Sequence, residues 1–291
     1  MISLQDLAQL VPVPSFDSHK YSRGTCVLIV GCAAYPGAAC LSACASQYAG
    51  AGYTRVFTAP QNIALLQGYR PSLVVESFDM FEPHRALKEG ARGAFVIGPG
   101  FDPSDHSAAS LLSSVLSQAT SPVLVDGGAL SLLAALRDEP RFASIKANCQ
   151  LVITPHAGEA MRLAESIEGF SIFDQEEAAR ALAKCYGATV VLKGENTVVA
   201  QFSGRVEVIT RGTAVLSKAG TGDVLAGVIG GLLAQGMDPF DASVLGASIH
   251  AEAGLVAQET YGIVSACAEE VLSSLPAAFM RFLNLRDERM Q

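Results

Sequence analysis

The run Lys218-Ala219-Gly220-Thr221-Gly222-Asp223-Val224-Leu225 leads small, permissive residues into an apolar helix and sets a carboxylate in its first turn. Glycines let the backbone come close to a ligand, and the open N–H groups of a helix start receive a phosphate or a developing anion. Gly220, Thr221 and Gly222 are therefore candidate phosphate contacts. A carboxylate beside such a hole is a poor ligand for the anion, but it is well placed to take a proton from a hydroxyl that attacks phosphorus. Asp223 is the candidate base, and the helix dipole leads us to expect it ionised at neutral pH. The alternative is that Asp223 only caps the helix.

Four other stretches stand directly after apolar strands, where a parallel sheet places its ligands. Gly31-Cys32-Ala33-Ala34-Tyr35-Pro36-Gly37-Ala38 and Gly98-Pro99-Gly100 are too small to shield a flat or phosphorylated ligand lying over them. Neither carries the GxGxxG dinucleotide pattern, and a tight turn explains each equally well alone. Thr154-Pro155-His156-Ala157-Gly158-Glu159 puts an imidazole and a carboxylate three residues apart at a helix start. It reads either as part of a site or as a cap, Thr154 with Pro155 at the first helical position. Lys193-Gly194-Glu195-Asn196-Thr197 is a polar turn that either closes around a nucleotide or is a plain hairpin.

The elements that must position these residues alternate along the chain. Segments 26–31, 53–58, 94–98, 123–126, 151–154 and 189–193 read as buried strands, and most precede helical stretches of a dozen residues or more. That alternation implies a parallel sheet with helices on both faces. Segments 197–201 and 205–210 flank Phe202-Ser203-Gly204 as a hairpin, and two long helices follow, over about 222–235 and 239–260. No linker, charge block or repeat divides the chain, so residues 1–291 read as one domain. Half of the residues are apolar and 16% are charged, enough to bury a large core without disulfides or metal. A net charge of -8 excludes nucleic acid and anionic membrane as partners, since both require a basic face. The seven cysteines form no CxxC pair and suit reduced thiols in a cytoplasmic protein; Cys40 and Cys44 share a helix face as core packing. The chain opens with no basic-then-apolar leader, and no apolar run reaches the roughly 18 residues of a membrane span.

In this order and at these separations, Thr154-Pro155-His156-x-Gly158-Glu159, Lys193-Gly194-x-x-Thr197 and Ala219-Gly220-Thr221-Gly222-Asp223-Val224-Leu225 resemble the ADP-dependent NAD(P)H-hydrate dehydratases of the ribokinase-like superfamily. The likeness runs from His19-Lys20 through Tyr35-Pro36-Gly37-Ala38, Gly98-Pro99-Gly100 and Val125-Asp126 to Ala251-Glu252-Ala253-Gly254. It implies a ribokinase-like α/β three-layer sandwich, a mostly parallel sheet with helices on both faces. It also implies a repair reaction: the hydrated, redox-dead form of NADH or NADPH is phosphorylated on its ring hydroxyl by ADP, and phosphate then leaves, returning NAD(P)H with AMP. On this resemblance Ala38, Gly100, His156 and Asp223 meet the hydrate, Lys193, Gly194, Glu195, Asn196 and Thr197 hold the adenylate portion, and Gly222 sits at its phosphates.

The resemblance further implies Mg2+ with no dedicated protein metal site, Glu159 reaching a metal only through water. It implies a homotetramer and a separate epimerase protein as functional partner, because the epimerase domain often fused ahead of such dehydratases has no room here. Three departures stand out: Ala157 replaces a usual proline, Gly128 a second aspartate, and Thr213-Ala214 an Asn-Pro pair. None touches Asp223 or the phosphate loop. Two other readings remain open, a thiazole or pyrimidine alcohol kinase using the same base, and a non-catalytic nucleotide-binding protein.

Overall fold

The runs Thr25–Ile29 (β1) and Gly93–Ile97 (β4) are apolar almost throughout, as strands covered on both faces must be, and every residue of each is buried. The computed structural model describes residues 2–137 and 149–288. Among these residues nine strands form one sheet in the order β3-β2-β1-β4-β5-β6-β7-β8-β9. The others are Tyr53–Thr58 (β2), Val74–Ser77 (β3), Val123–Val125 (β5), Leu151–Ile153 (β6), Thr189–Leu192 (β7), Thr197–Gln201 (β8) and Val206–Ile209 (β9). β1 to β7 pair in parallel, and β8 and β9 close the edge antiparallel.

Successive strand residues point to opposite faces, and each face carries its own core. Leu28, Val96 and Val152 pack with Ala43, Ile229, Val244 and Leu275, from the helices Pro36–Tyr48, Thr221–Ala234, Pro239–Tyr261 and Ala268–Glu288. Ile29, Ile97 and Ile153 pack with Leu112, Leu133 and Leu182, from the helices His106–Gln118, Gly128–Arg137 and Gln175–Tyr186. The result is the expected three-layer α/β sandwich. The Thr221–Ala234 helix lies close against Pro36–Tyr48 because Gly227 and Gly231 face it: a Cβ on Gly227 would stand 2.2 Å from the Ser42 carbonyl oxygen.

Strand and helix ends agree with the sequence reading to within two residues. One strand was not foreseen, β3, which is half-buried at all four positions and offers neither a continuous apolar run nor an alternation. Strand order reverses between β1 and β4, the place where ligands bind in such sheets. There the two loops are stitched together, Gly31 N–H donating to Pro99 O at 2.8 Å and Cys32 N–H to Gly100 O at 2.8 Å.

Candidate active site

The candidate phosphate loop is shaped by the start of the Thr221–Ala234 helix. Gly220 is its N-cap, in a left-handed conformation (φ 91°), and no side chain caps the helix. Its first-turn N–H groups therefore keep the character of an anion site. The Thr221 hydroxyl is shared between the carbonyl oxygens of Leu216 (2.7 Å) and Lys218 (2.8 Å), so it braces the loop from within. Asp223 falls in the first helical turn, as expected.

Beside the loop lies a cluster of charges from three strand ends. Lys193 Nζ donates to Asp126 Oδ1 at 2.9 Å and lies 3.9 Å from Glu159 Oε2. A Cβ placed on Gly222 would be 3.4 Å from the same Nζ, so the ammonium stands directly at the glycine loop. Asp126 is buried and also accepts from the Thr154 hydroxyl at 2.6 Å. Burial pulls the Lys193 ammonium down, but the carboxylates of Asp126, Glu159 and Asp223 outweigh it and hold the group above its ordinary value. Asp223 goes the other way. Burial first, then the Asp126 and Glu159 charges, push its carboxyl from 3.8 up to about 7, with Lys193 opposing. The expectation of an ionised Asp223 at neutral pH is thus corrected: desolvation beats the helix dipole, and the carboxyl is poised between its two forms.

His156 is the cap of the Ala157–Leu163 helix, in place of the expected Thr154 and Pro155. Its Nδ1 accepts from the N–H groups of Gly158 (3.0 Å) and Glu159 (3.2 Å), while Glu159 Oε2 accepts from His156 N–H at 2.8 Å. Thr154 is instead committed to Asp126. This capping box fixes Glu159 next to Lys193, whose backbone is bridged to His156.

Two clefts flank the loop. One, of about 620 Å³, is lined by Tyr35, Ala38, Gly100, Asp102, Gly220 and Asp223 among others, over the β1/β4 reversal point. The other, of about 600 Å³, is lined by Gly194, Glu195, Asn196 and Thr197, and across from them by Leu216, Leu225, Ala247, His250 and Ala251. The predicted substrate residues Ala38, Gly100 and Asp223 thus converge on one cleft, and the predicted nucleotide turn lines the other. Lys193 and Gly222 line neither cleft but are chain neighbours of residues that do, Gly194 and Asp223. His156 is not among the residues lining either cleft; its ring is 56% exposed and 3.6 Å from Glu159. Gly128, one of the noted departures, has no space for a side chain, since a Cβ there would stand 2.2 Å from Phe101 O.

Three contributors were missed as site residues. Asp126 carried one signal, an acid directly after a buried strand. Arg211 and His250 line the second cleft with no local motif to mark them. Among the described residues, no group of three or more His, Cys, Asp or Glu is placed to hold a metal ion, and no helix is long and apolar enough to cross a membrane.

Comparison with known proteins adds a family to this geometry. The sequence profile of a family described as NAD(P)H-hydrate dehydratase matches residues 26–277. The chain is 34% identical to the ADP-dependent (S)-NAD(P)H-hydrate dehydratase of Neisseria meningitidis serogroup B, covering 86% of this chain and 82% of that protein. It is 35% identical to the bifunctional NAD(P)H-hydrate repair enzyme of Escherichia coli, covering 89% of this chain but only 48% of that longer protein. In structure it is similar to an ADP/ATP-dependent NAD(P)H-hydrate dehydratase from Bacillus subtilis co-crystallised with ATP/Mg2+, with a TM-score of 0.83, 28% identity and coverage of 96% of this chain and 97% of that one.

Proposed function

The chain belongs to the NAD(P)H-hydrate dehydratase family, and from that premise we propose how its two clefts divide the reaction. The activity is ADP-dependent dehydration of hydrated NADH or NADPH, a repair of nicotinamide nucleotides. The observation that carries the residue assignment is the position of Asp223. It faces the cleft lined by Ala38 and Gly100, while Ser217 and Leu225, on either side of its loop, line the cleft of Gly194–Thr197. In this reading the hydrated ring lies over Ala38 and Gly100 with its hydroxyl toward Asp223. The adenylate lies along Lys193, Gly194, Glu195, Asn196 and Thr197, and its phosphates meet Gly220, Thr221 and Gly222. His156 belongs to the hydrate side through its place beside Glu159.

The ring hydroxyl is a poor leaving group. Attack of its oxygen on the β-phosphorus forms a new P–O bond and breaks the anhydride, releasing AMP, while Asp223 accepts the hydroxyl proton. The ring nitrogen's electron pair then expels phosphate, and loss of a proton from the ring carbon beside the one that carried it restores the dihydronicotinamide. A carboxyl whose pKa lies near 7 suits this proton transfer, being partly ionised yet basic enough to hold the proton. Lys193 stands where phosphate charge builds up, and its ammonium stabilises that charge.

Three carboxyl groups, Asp126, Glu159 and Asp223, surround the single Lys193 ammonium, and this surplus of negative groups fits a further cation once phosphates arrive. Mg2+ would supply charge neutralisation at the phosphates, with Glu159 meeting its water shell. The same proposal includes preference for ADP over ATP, a homotetramer, a cytoplasmic setting and cooperation with a separate epimerase. The test is to mix the purified protein with acid-hydrated NADH, magnesium and ADP, ATP or neither, and follow the absorbance of the reduced nicotinamide. Recovery of absorbance only with nucleotide, with AMP and phosphate as products, is expected. A stable phosphorylated product without recovery would favour the kinase reading.

A further inference from the structure

The wall of the second cleft carries an arginine that the reaction above does not use. Arg211 lies two residues beyond the end of β9, where Ile209 pairs with Thr197 of β8, and all three line the cleft. Its side chain crosses to the opposite wall, where Nε donates to Glu252 Oε2 at 2.6 Å, one residue past the cleft-lining Ala251. Glu252 is only 4% exposed, and its other oxygen accepts from Arg281 Nη1 at 2.7 Å. Arg281 in turn donates through Nη2 to Glu259 Oε2 at 2.6 Å. Burial works against the charge on Glu252, but the two guanidinium groups overcome this and hold its carboxyl below the ordinary range. A buried carboxylate that depends on two cations leaves them little freedom to move, so Arg211 is pinned through Nε. Its Nη groups have no protein partner among the described residues, and its side chain is 48% exposed at the cleft. The same segment is tied down a second time by the Thr213 hydroxyl, which bonds Gln258 of the Pro239–Tyr261 helix.

Arg211 lines the same cleft as the Gly194–Thr197 turn and the apolar Leu216, Leu225 and Ala247. Arg211 also borders a smaller hollow lined by Ile2, Leu4 and Leu7. A nucleotide with its phosphates at Gly220–Gly222 would extend its base into this cleft, whose walls combine the apolar Leu216, Leu225 and Ala247 with Arg211. A planar guanidinium held at one nitrogen and open on its face suits stacking on a purine ring.

We propose that Arg211, positioned by Glu252, is a specificity-determining contact for the base of the adenine nucleotide. This rests on reading the second cleft as the nucleotide site. The test measures binding of AMP, ADP, ATP and pyrophosphate to the wild-type chain and to Arg211→Met, Arg211→Lys and Glu252→Gln. Arg211→Met weakens AMP, ADP and ATP by one common factor of about 3- to 30-fold and leaves pyrophosphate unchanged. Arg211→Lys keeps a cation for Glu252, hence the fold, but loses the planar face and shows most of the same loss. Glu252→Gln raises the KM for nucleotide while kcat is retained, which a general loss of stability would not do. A loss that grows from AMP to ATP would make Arg211 a phosphate ligand and overturn the proposal, as would unchanged affinity in both Arg211 variants. A wild-type chain that bound none of these ligands would overturn the nucleotide-site reading and this proposal with it.

Discussion

Replacing Asp223 by asparagine should abolish activity and at the same time stabilise the fold at neutral pH. The carboxyl is pushed from 3.8 to about 7 in the folded chain. Between these values the unfolded chain has released its proton while the folded chain retains it, so the folded state binds more protons and stability falls as pH rises. At 1.36 kcal/mol per unit, a shift of about 3 units costs up to about 4 kcal/mol above pH 7, and nothing below about pH 4, where both states are protonated. Asparagine is nearly isosteric and uncharged, so the variant avoids this cost. The attraction to Lys193 is already contained in that shift, so the gain is about 1–4 kcal/mol. Denaturant unfolding of both proteins at several pH values should show no difference near pH 4, a difference growing to about pH 7, and a plateau beyond. In the same variant dehydration should fall by about 10² to 10⁴, the usual cost of losing a positioned base, with nucleotide affinity close to normal. A stability difference that is flat with pH would refute the burial argument. More than about a tenth of wild-type activity would remove Asp223 from the proton transfer.

Lys193→Met strands Asp126, Glu159 and Asp223 together without their cation, and should destabilise the chain by about 3–5 kcal/mol at pH 8. The loss should shrink by pH 5, as the carboxyl groups take up protons; equal losses at both pH values would argue against a charge effect. Gly100→Ala adds a methyl group 2.7 Å from Ala38 Cβ at a backbone with φ 70°, on the substrate side only. Steady-state kinetics should therefore show KM for the hydrate rising more than KM for ADP, and equal rises would contradict the assignment of the two clefts. Turnover with ADP should exceed turnover with ATP at saturating concentrations, and equal or faster turnover with ATP would remove the proposed preference.

Much of this protein could be read within short windows. The apolar runs of β1, β4 and β7 can only be strands covered on both faces, and the start of the Thr221–Ala234 helix is marked by its own glycines. Because ligands in such sheets lie beyond strand ends, the loops after β1, β4, β6 and β7 could be named as site segments before any tertiary structure was known. β3 escaped because its four half-buried residues satisfy neither strand pattern. The cap at His156 was misassigned because Thr154 is a good cap by type, while its hydroxyl is claimed by Asp126, 28 residues earlier in the chain.

What the sequence determined by itself, then, was the fold class and the glycine-led start of the Thr221–Ala234 helix, since helix starts, glycine turns and buried strands are decided by near neighbours. Only the tertiary structure decided the electrostatics. Asp126 and Lys193 are 67 residues apart and Arg211 and Glu252 are 41 apart, and no local pattern announces either pair. The charge state of Asp223 depends on how far folding removes it from water and on which carboxylates folding brings beside it. Desolvation and Coulomb energy act through space, so they exist only once the chain has closed on itself.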